Sequence, residues 1–111
     1  MRLTSLYFLA FLILGTPIFP LAAASPAVAE EIEIKIHDMA FTPKKLLAHV
    51  GDKVKWINED FVNHTATGKN NEWSVILLAH GAGNVTLTEP GHIDYYCKYH
   101  PTMTGQIDVA P

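Results

Sequence analysis

Cys97, His100 and Met103 stand at steps of three residues, and each carries a different metal-binding atom. A thiolate, an imidazole and a thioether joined by a second imidazole from elsewhere make the trigonal His₂Cys set with a weak axial Met that serves electron transfer at copper. Thiolate and thioether favour Cu(I), whereas imidazole tolerates Cu(II). A mixed set that fully suits neither state lets the ion change oxidation state with little movement of its ligands, as fast electron transfer requires. Zinc is disfavoured, because its sites draw on Cys, His and carboxylate rather than thioether. Blander readings exist for each residue alone. Cys97 could be a buried core thiol or half of a disulfide between chains, and Met103 a core or patch residue. The donor set and its spacing favour ligation over these, with the whole stretch on a loop between two strands.

The second imidazole must come from a loop at the same end of the domain. Among six histidines, His64 fits best, since it follows a strand over Lys53 to Asn58 and an exposed loop. His37 lies out of phase with Ile32, Ile34 and Ile36 and should face solvent. His49 precedes a turn, His80 sits in a Gly-rich loop, and His92 begins the strand that ends in Cys97, at the opposite end. The expected metal ligands are therefore His64, Cys97, His100 and Met103, around one copper ion.

The elements that position these residues read as short strands. Ile32, Ile34 and Ile36 alternate with Glu33 and Lys35, the period of two that buries one sheet face. After the Thr42-Pro43 break an extended piece runs through Leu46 to His49. Val50-Gly51-Asp52 turns the chain into Lys53 to Asn58, with Val54 and Trp56 inward. Asn84 to Glu89 repeats the alternation through Val85 and Leu87. Glu89-Pro90-Gly91 leads into Ile93, Tyr95 and Cys97 on one face, and Gln106 to Val109 closes with Ile107 and Val109 inward. Trp73 to Leu78 could be a buried strand or a short helical turn. Tyr95, two residues before Cys97, reads equally as a tyrosine corner tying a crossover to the backbone or as a core aromatic. Closely spaced strands with Gly and Pro punctuation imply an all-β, Greek-key antiparallel β-sandwich.

The N-terminus has another character. Arg2 precedes an apolar stretch from Leu6 to Leu14, then Gly15, Pro17 and Pro20, and Ala27-Val28-Ala29 offers a small-residue cleavage site before Glu30. That order matches a secretory signal peptide over residues 1–29, with a second possible site at Ala22-Ala23-Ala24. A membrane-spanning helix needs about 20 apolar residues, and this run is broken earlier. Residues 30–111 would form one exported, periplasmic domain without stable membrane insertion, and nothing in them suggests other than a monomer. They carry seven lysines, no arginine and eleven acidic residues, a net charge of 7 − 11 = −4. An acidic surface argues against nucleic-acid binding, which needs a basic face.

The resemblance that these pieces carry is to the cupredoxins, and within them the amicyanins. It rests on Met39-Ala40-Phe41-Thr42-Pro43, on Val50-Gly51-Asp52-Lys53-Val54-Lys55-Trp56-Ile57-Asn58, and on Asn63-His64. It continues in Glu89-Pro90-Gly91-His92-Ile93-Asp94-Tyr95-Tyr96-Cys97 and in His100-Pro101-Thr102-Met103-Thr104-Gly105. The short C-x-x-H-x-x-M loop is the amicyanin pattern; related families space it further. The resemblance implies an eight-stranded sandwich, the four ligands already picked, and a one-electron shuttle whose redox partners dock near His100. It also implies that His100 can protonate and release copper in the Cu(I) form. Three positions depart from the pattern. Thr65 replaces an Asn that braces the Cys loop, leaving that brace to a hydroxyl or absent, and Tyr99 and Thr102 replace a Pro and a Phe around His100. A copper-trafficking or resistance protein is the alternative function. Such carriers use Met- and His-rich surfaces, whereas this chain has three methionines including Met1. An enzyme is disfavoured, because multicopper catalysts need further histidine pairs, and no H-x-H occurs.

Overall fold

Alternation of β-branched and polar residues sets the first strand, β1 (Glu31–His37), and it buries Ile34 and Ile36 while Glu33 and Lys35 face solvent. The computed structural model describes residue 2 and residues 10–21 and 28–111. The start of the apolar N-terminal run, Ala22-Ala23-Ala24 and Ala27 lie outside the described residues. Among the described residues nine strands run in order: β1, β2 (Ala40–Thr42), β3 (Lys45–His49), β4 (Lys53–Asn58), β5 (His64–Gly68), β6 (Ser74–Leu77), β7 (Ala82–Thr86), β8 (Gly91–Tyr96) and β9 (Thr104–Ala110). The count exceeds the eight implied by the resemblance because it includes the three-residue β2, a short return of the chain beside β1.

The strands form two sheets, β2-β1-β4-β7 and β3-β9-β8-β5-β6. The chain passes repeatedly from one to the other, which gives an all-β sandwich with most neighbours non-consecutive. Its inner layer joins Ile34, Ile36, Val54 and Trp56 from the first sheet to Ala66, Leu77, Tyr95, Ile107 and Val109 from the second. Each fully buried large apolar side chain there contributes about 1.5–3 kcal/mol relative to exposure.

The expected all-β sandwich is present, with most of its strand pairs antiparallel and two parallel. β1 pairs with β4 in parallel, placing Ile34 beside Trp56, and β3 pairs with β9 in parallel. Both pairs are joined through strands of the opposite sheet, the long connection that parallel neighbours need. Within Trp73 to Leu78 the chain forms a strand, β6 (Ser74–Leu77), and not a helical turn. The expected Asn84–Glu89 strand starts earlier and ends at Thr86. Leu87 instead exchanges backbone hydrogen bonds with the turn before β4: its N–H donates to Asp52 O at 2.8 Å, and its carbonyl accepts from Gly51 at 2.7 Å.

Tyr95 is not a tyrosine corner. Its hydroxyl is buried without a hydrogen-bond partner, and the ring packs on Phe41, Trp56 and Trp73. Burial pushes its phenol up to about 12. Its ring lies directly over Gly105 on β9, where any side chain would collide with it.

Candidate metal centre

β8 ends at Tyr96 and β9 begins at Thr104, so Cys97 to Met103 is the loop of a hairpin. Three backbone hydrogen bonds fold it inward. The Cys97 N–H donates to Met103 O at 3.0 Å, Met103 N–H to His100 O at 2.9 Å, and His100 N–H to Cys97 O at 3.2 Å. The first continues the β8–β9 ladder across the loop's neck. Cys97 and Met103 are thereby held in the buried cluster, while His100 stays partly exposed and Lys98 and Tyr99 face solvent.

His64 enters from β5, where it pairs with Leu77 of β6 and is fully buried. Its Nδ1 lies 3.2 Å from Nδ1 of His100 and 3.7 Å from Sγ of Cys97, and His100 Nδ1 lies 3.6 Å from that sulfur. A triangle with these sides has a centre about 2.0 Å from every corner, close to the length of a metal–imidazole bond. Two imidazoles and a thiol therefore converge on one point. In the metal-free form one ring donates a proton across the His64–His100 contact. That proton must leave when a metal binds, since ligand atoms bind deprotonated.

The surrounding hydrogen bonds decide how rigid that point is. Thr65, almost fully buried, supplies the brace. Its N–H donates to Cys97 Sγ at 3.3 Å, and its hydroxyl accepts from Lys98 N–H at 2.8 Å and meets the Thr67 hydroxyl at 3.1 Å. Thr67 passes the chain on to Ser74 at 2.9 Å. The brace is thus a hydroxyl network, tying β5 to both ends of the Cys97–Lys98 bond. Hydrogen bonding at the Cys sulfur is also one of the means by which such a site sets its potential.

Two residues that sequence reasoning missed complete the site. Asn58, at the end of β4, is buried; its Nδ2 donates toward the carbonyls of Val62, Leu77 and Leu78, and its Oδ1 accepts from Asp60 N–H at 3.0 Å. This clamps the 59–63 loop that delivers His64. Its phase with Val54 and Trp56 was a usable signal, because an inward Asn must find partners. Asp60 then meets His64 from behind, with Oδ2 2.8 Å from Nε2. Partial burial alone would raise the Asp60 carboxyl, but the N–H groups of Met39 and Asp38 and the His64 ring outweigh it and hold the group below the usual carboxylate range. No motif marks Asp60.

The remaining histidines stand apart from this point. His37 is exposed beside Asp38, and His49 is exposed near Asp52. His80 packs edge-on against exposed Phe61. His92 is held between Asp108 and Asp94, and both carboxylates raise its affinity for a proton. His37, Asp38 and Asp60 also lie close together, on a largely exposed surface.

A buried Cys, an imidazole and a buried Met on one loop, met by a second imidazole from β5 of an all-β sandwich, form a type 1 copper arrangement. Residues 5–109 match the family described as a cupredoxin-like domain. The chain belongs to the cupredoxins. It is 33% identical over 96 residues to an amicyanin of Paracoccus denitrificans, covering 81% of this chain and 72% of that protein. It is 30% identical over 91 residues to the methylamine utilization protein MauL of Methylorubrum extorquens, covering 78% of this chain and 80% of that one. A reduced amicyanin mutant superposes with a TM-score of 0.63 at 32% identity, over 71% of this cupredoxin and 81% of that chain. An oxidised amicyanin mutant gives 0.64 at 30% identity, over 70% and 80%. The fit is to the fold and the ligand loop together, so copper is the cofactor the donor set suits.

Proposed function

We propose that this cupredoxin is a one-electron carrier in which His64, Cys97, His100 and Met103 would hold the copper. The observation that carries the reading is the convergence of three donors from β5 and the β8–β9 loop within 3.2–3.7 Å of one another. Copper bound there supplies a centre able to gain and lose one electron. The chain's own residues keep the ligands fixed between the two states: His64, Cys97 and Met103 are buried, and Thr65 and Asn58 brace the segments that carry them. Small ligand movement is the condition for fast transfer. His100 is the partly exposed ligand, so its ring edge is the electron's exit. Exposed Met39 and Tyr99 form apolar surface at which a redox partner docks, and the acidic surface steers a basic partner into place.

The domain works after export to the periplasm, as a monomer and not as an enzyme. Among the described residues no helix is long and apolar enough to cross a membrane. Cleavage after Ala29 is supported by the exposure of residues 28–30, by the start of β1 at Glu31, and by the grip already on Glu30. Glu30 N–H donates to Asp52 Oδ1 at 3.0 Å, so the cut would leave a new ammonium against a buried carboxylate. The mass of the exported protein should correspond to Glu30–Pro111; a retained residue 25–29 segment would move the cut to Ala24.

Electron self-exchange tests the carrier reading against metal delivery. Mixed Cu(I) and Cu(II) protein should show NMR line broadening that grows with concentration. Slow self-exchange with ready loss of copper to an acceptor protein would favour the delivery role instead.

A further inference from the structure

Asp60 has three donors and one side chain to hold them. Its Oδ1 accepts from Asp38 N–H at 2.9 Å, and its Oδ2 accepts from Met39 N–H at 3.0 Å and faces His64 Nε2 at 2.8 Å. Asp38 and Met39 form the two-residue turn between β1 and β2, and both have positive φ, 49° and 62°. Such a turn ordinarily takes Asn and Gly, because other side chains are strained there. The Asp60 carboxylate offsets that strain by accepting both of the turn's amides. Its own backbone N–H is fixed by Asn58, and its carbonyl accepts from His80 N–H at 3.3 Å. The carboxylate is therefore anchored from several elements before it reaches the imidazole, and its side chain is only 12% exposed.

An imidazole cornered in this way has one sensible tautomer. With the proton on Nε2, donated to Asp60, the Nδ1 lone pair is bared toward Cys97 and His100. The opposite tautomer would leave Nε2 and a carboxylate oxygen, two acceptors, facing each other at hydrogen-bond distance. A carboxylate behind a ligating His fixes its ring and raises its basicity. A negative charge one ring away also favours the more positive of two metal states.

We propose that Asp60 is the positioning residue for His64, setting its tautomer and biasing the copper centre toward Cu(II). The proposal rests on the copper reading above. It assigns to the β1–β2 turn a part in the site, because the same carboxylate closes both.

The test begins with the metal-free protein, in which the ring ¹⁵N shifts of His64 should place the proton on Nε2. In copper-loaded protein, Asp60→Asn keeps the shape and one acceptor but loses the charge. It should weaken Cu(II) binding roughly 10- to 100-fold, the usual effect of losing such a partner. If Cu(I) binding is spared, each tenfold loss raises the reduction potential by about 59 mV for one electron. Asp60→Glu should bring the potential back toward the wild type. Wild-type His64 carrying its proton on Nδ1 would overturn the proposal, and that measurement needs no variant to fold. A blue wild type whose potential is unchanged in Asp60→Asn would overturn the role of Asp60 alone. A wild type that takes up no copper would overturn the copper reading itself.

Discussion

Replacing Thr65 with Val removes one oxygen from the interior and keeps the shape of the side chain. Two hydrogen bonds go with it. Lys98 N–H loses its acceptor at 2.8 Å, and Thr67 loses a partner at 3.1 Å while keeping Ser74 at 2.9 Å. The Thr67 loss is the smaller, because its hydroxyl still has somewhere to go. The Lys98 amide is left over a new methyl, and an amide so stranded costs about 1–3 kcal/mol. A domain of this size loses roughly 4–8 °C of melting temperature per kcal/mol. The metal-free Thr65→Val protein should therefore melt roughly 4–24 °C lower. The Thr65 backbone N–H to Cys97 Sγ is untouched, so the thiolate-to-copper band should keep its position. Thr65→Ser retains the oxygen and should recover most of the loss. Calorimetry of the three proteins decides the matter. A Val variant melting with the wild type, or a Ser variant as unstable as Val, would refute the hydroxyl brace.

Three further outcomes follow from the structure. Gly105→Ala places a methyl within 2.6 Å of Tyr95 Cε1 in the fully packed core. Overpacking of this kind costs about 1–3 kcal/mol, so thermal unfolding should show a clear drop, and an unchanged midpoint would mean the ring can move aside. His92 has its proton affinity raised by Asp108 and then Asp94. Its contribution to stability is thus complete below the ordinary histidine value and fades as pH rises through the raised folded value. His92→Gln should destabilise the protein at about pH 5.5 and much less at about pH 8.5, and a gap that widened with pH would contradict the assignment. Asp52 is lowered by the N–H groups of Glu30 and His49. The sign is opposite to that of His92: its contribution is present above the ordinary aspartate value and is lost as acid titrates the folded carboxylate. Asp52→Asn should accordingly flatten the acid limb of the stability profile, measured by unfolding at successive pH values; an unaltered limb would rule this out.

The sequence made the copper loop legible because its chemistry is local. Cys97, His100 and Met103 lie within seven residues, and a two-residue period before Cys97 places it at the end of a strand. His64 had to be reached by asking where a second imidazole could come from, and the buried position in β5 answers that question. What stayed illegible depends on contacts between distant segments. Asp60 reads as one of eleven acidic residues until the β1–β2 turn and the His64 loop are brought together on it. Thr65 looks like a lost Asn until Lys98 arrives 33 positions later in the chain. The parallel β1–β4 and β3–β9 pairings leave no mark in alternation, since period two reports which face is buried and says nothing of a neighbour's direction. Tyr95 carried the spacing of a corner, and only the packing over Gly105 shows that its ring is spent on the core.

The visible spectrum of the protein after addition of Cu(II) tests the central claim most directly. The account predicts an intense blue thiolate-to-copper band that is bleached by reductant and absent in Cys97→Ala. A protein that binds copper and stays colourless or pale, or whose colour survives loss of Cys97, would contradict it.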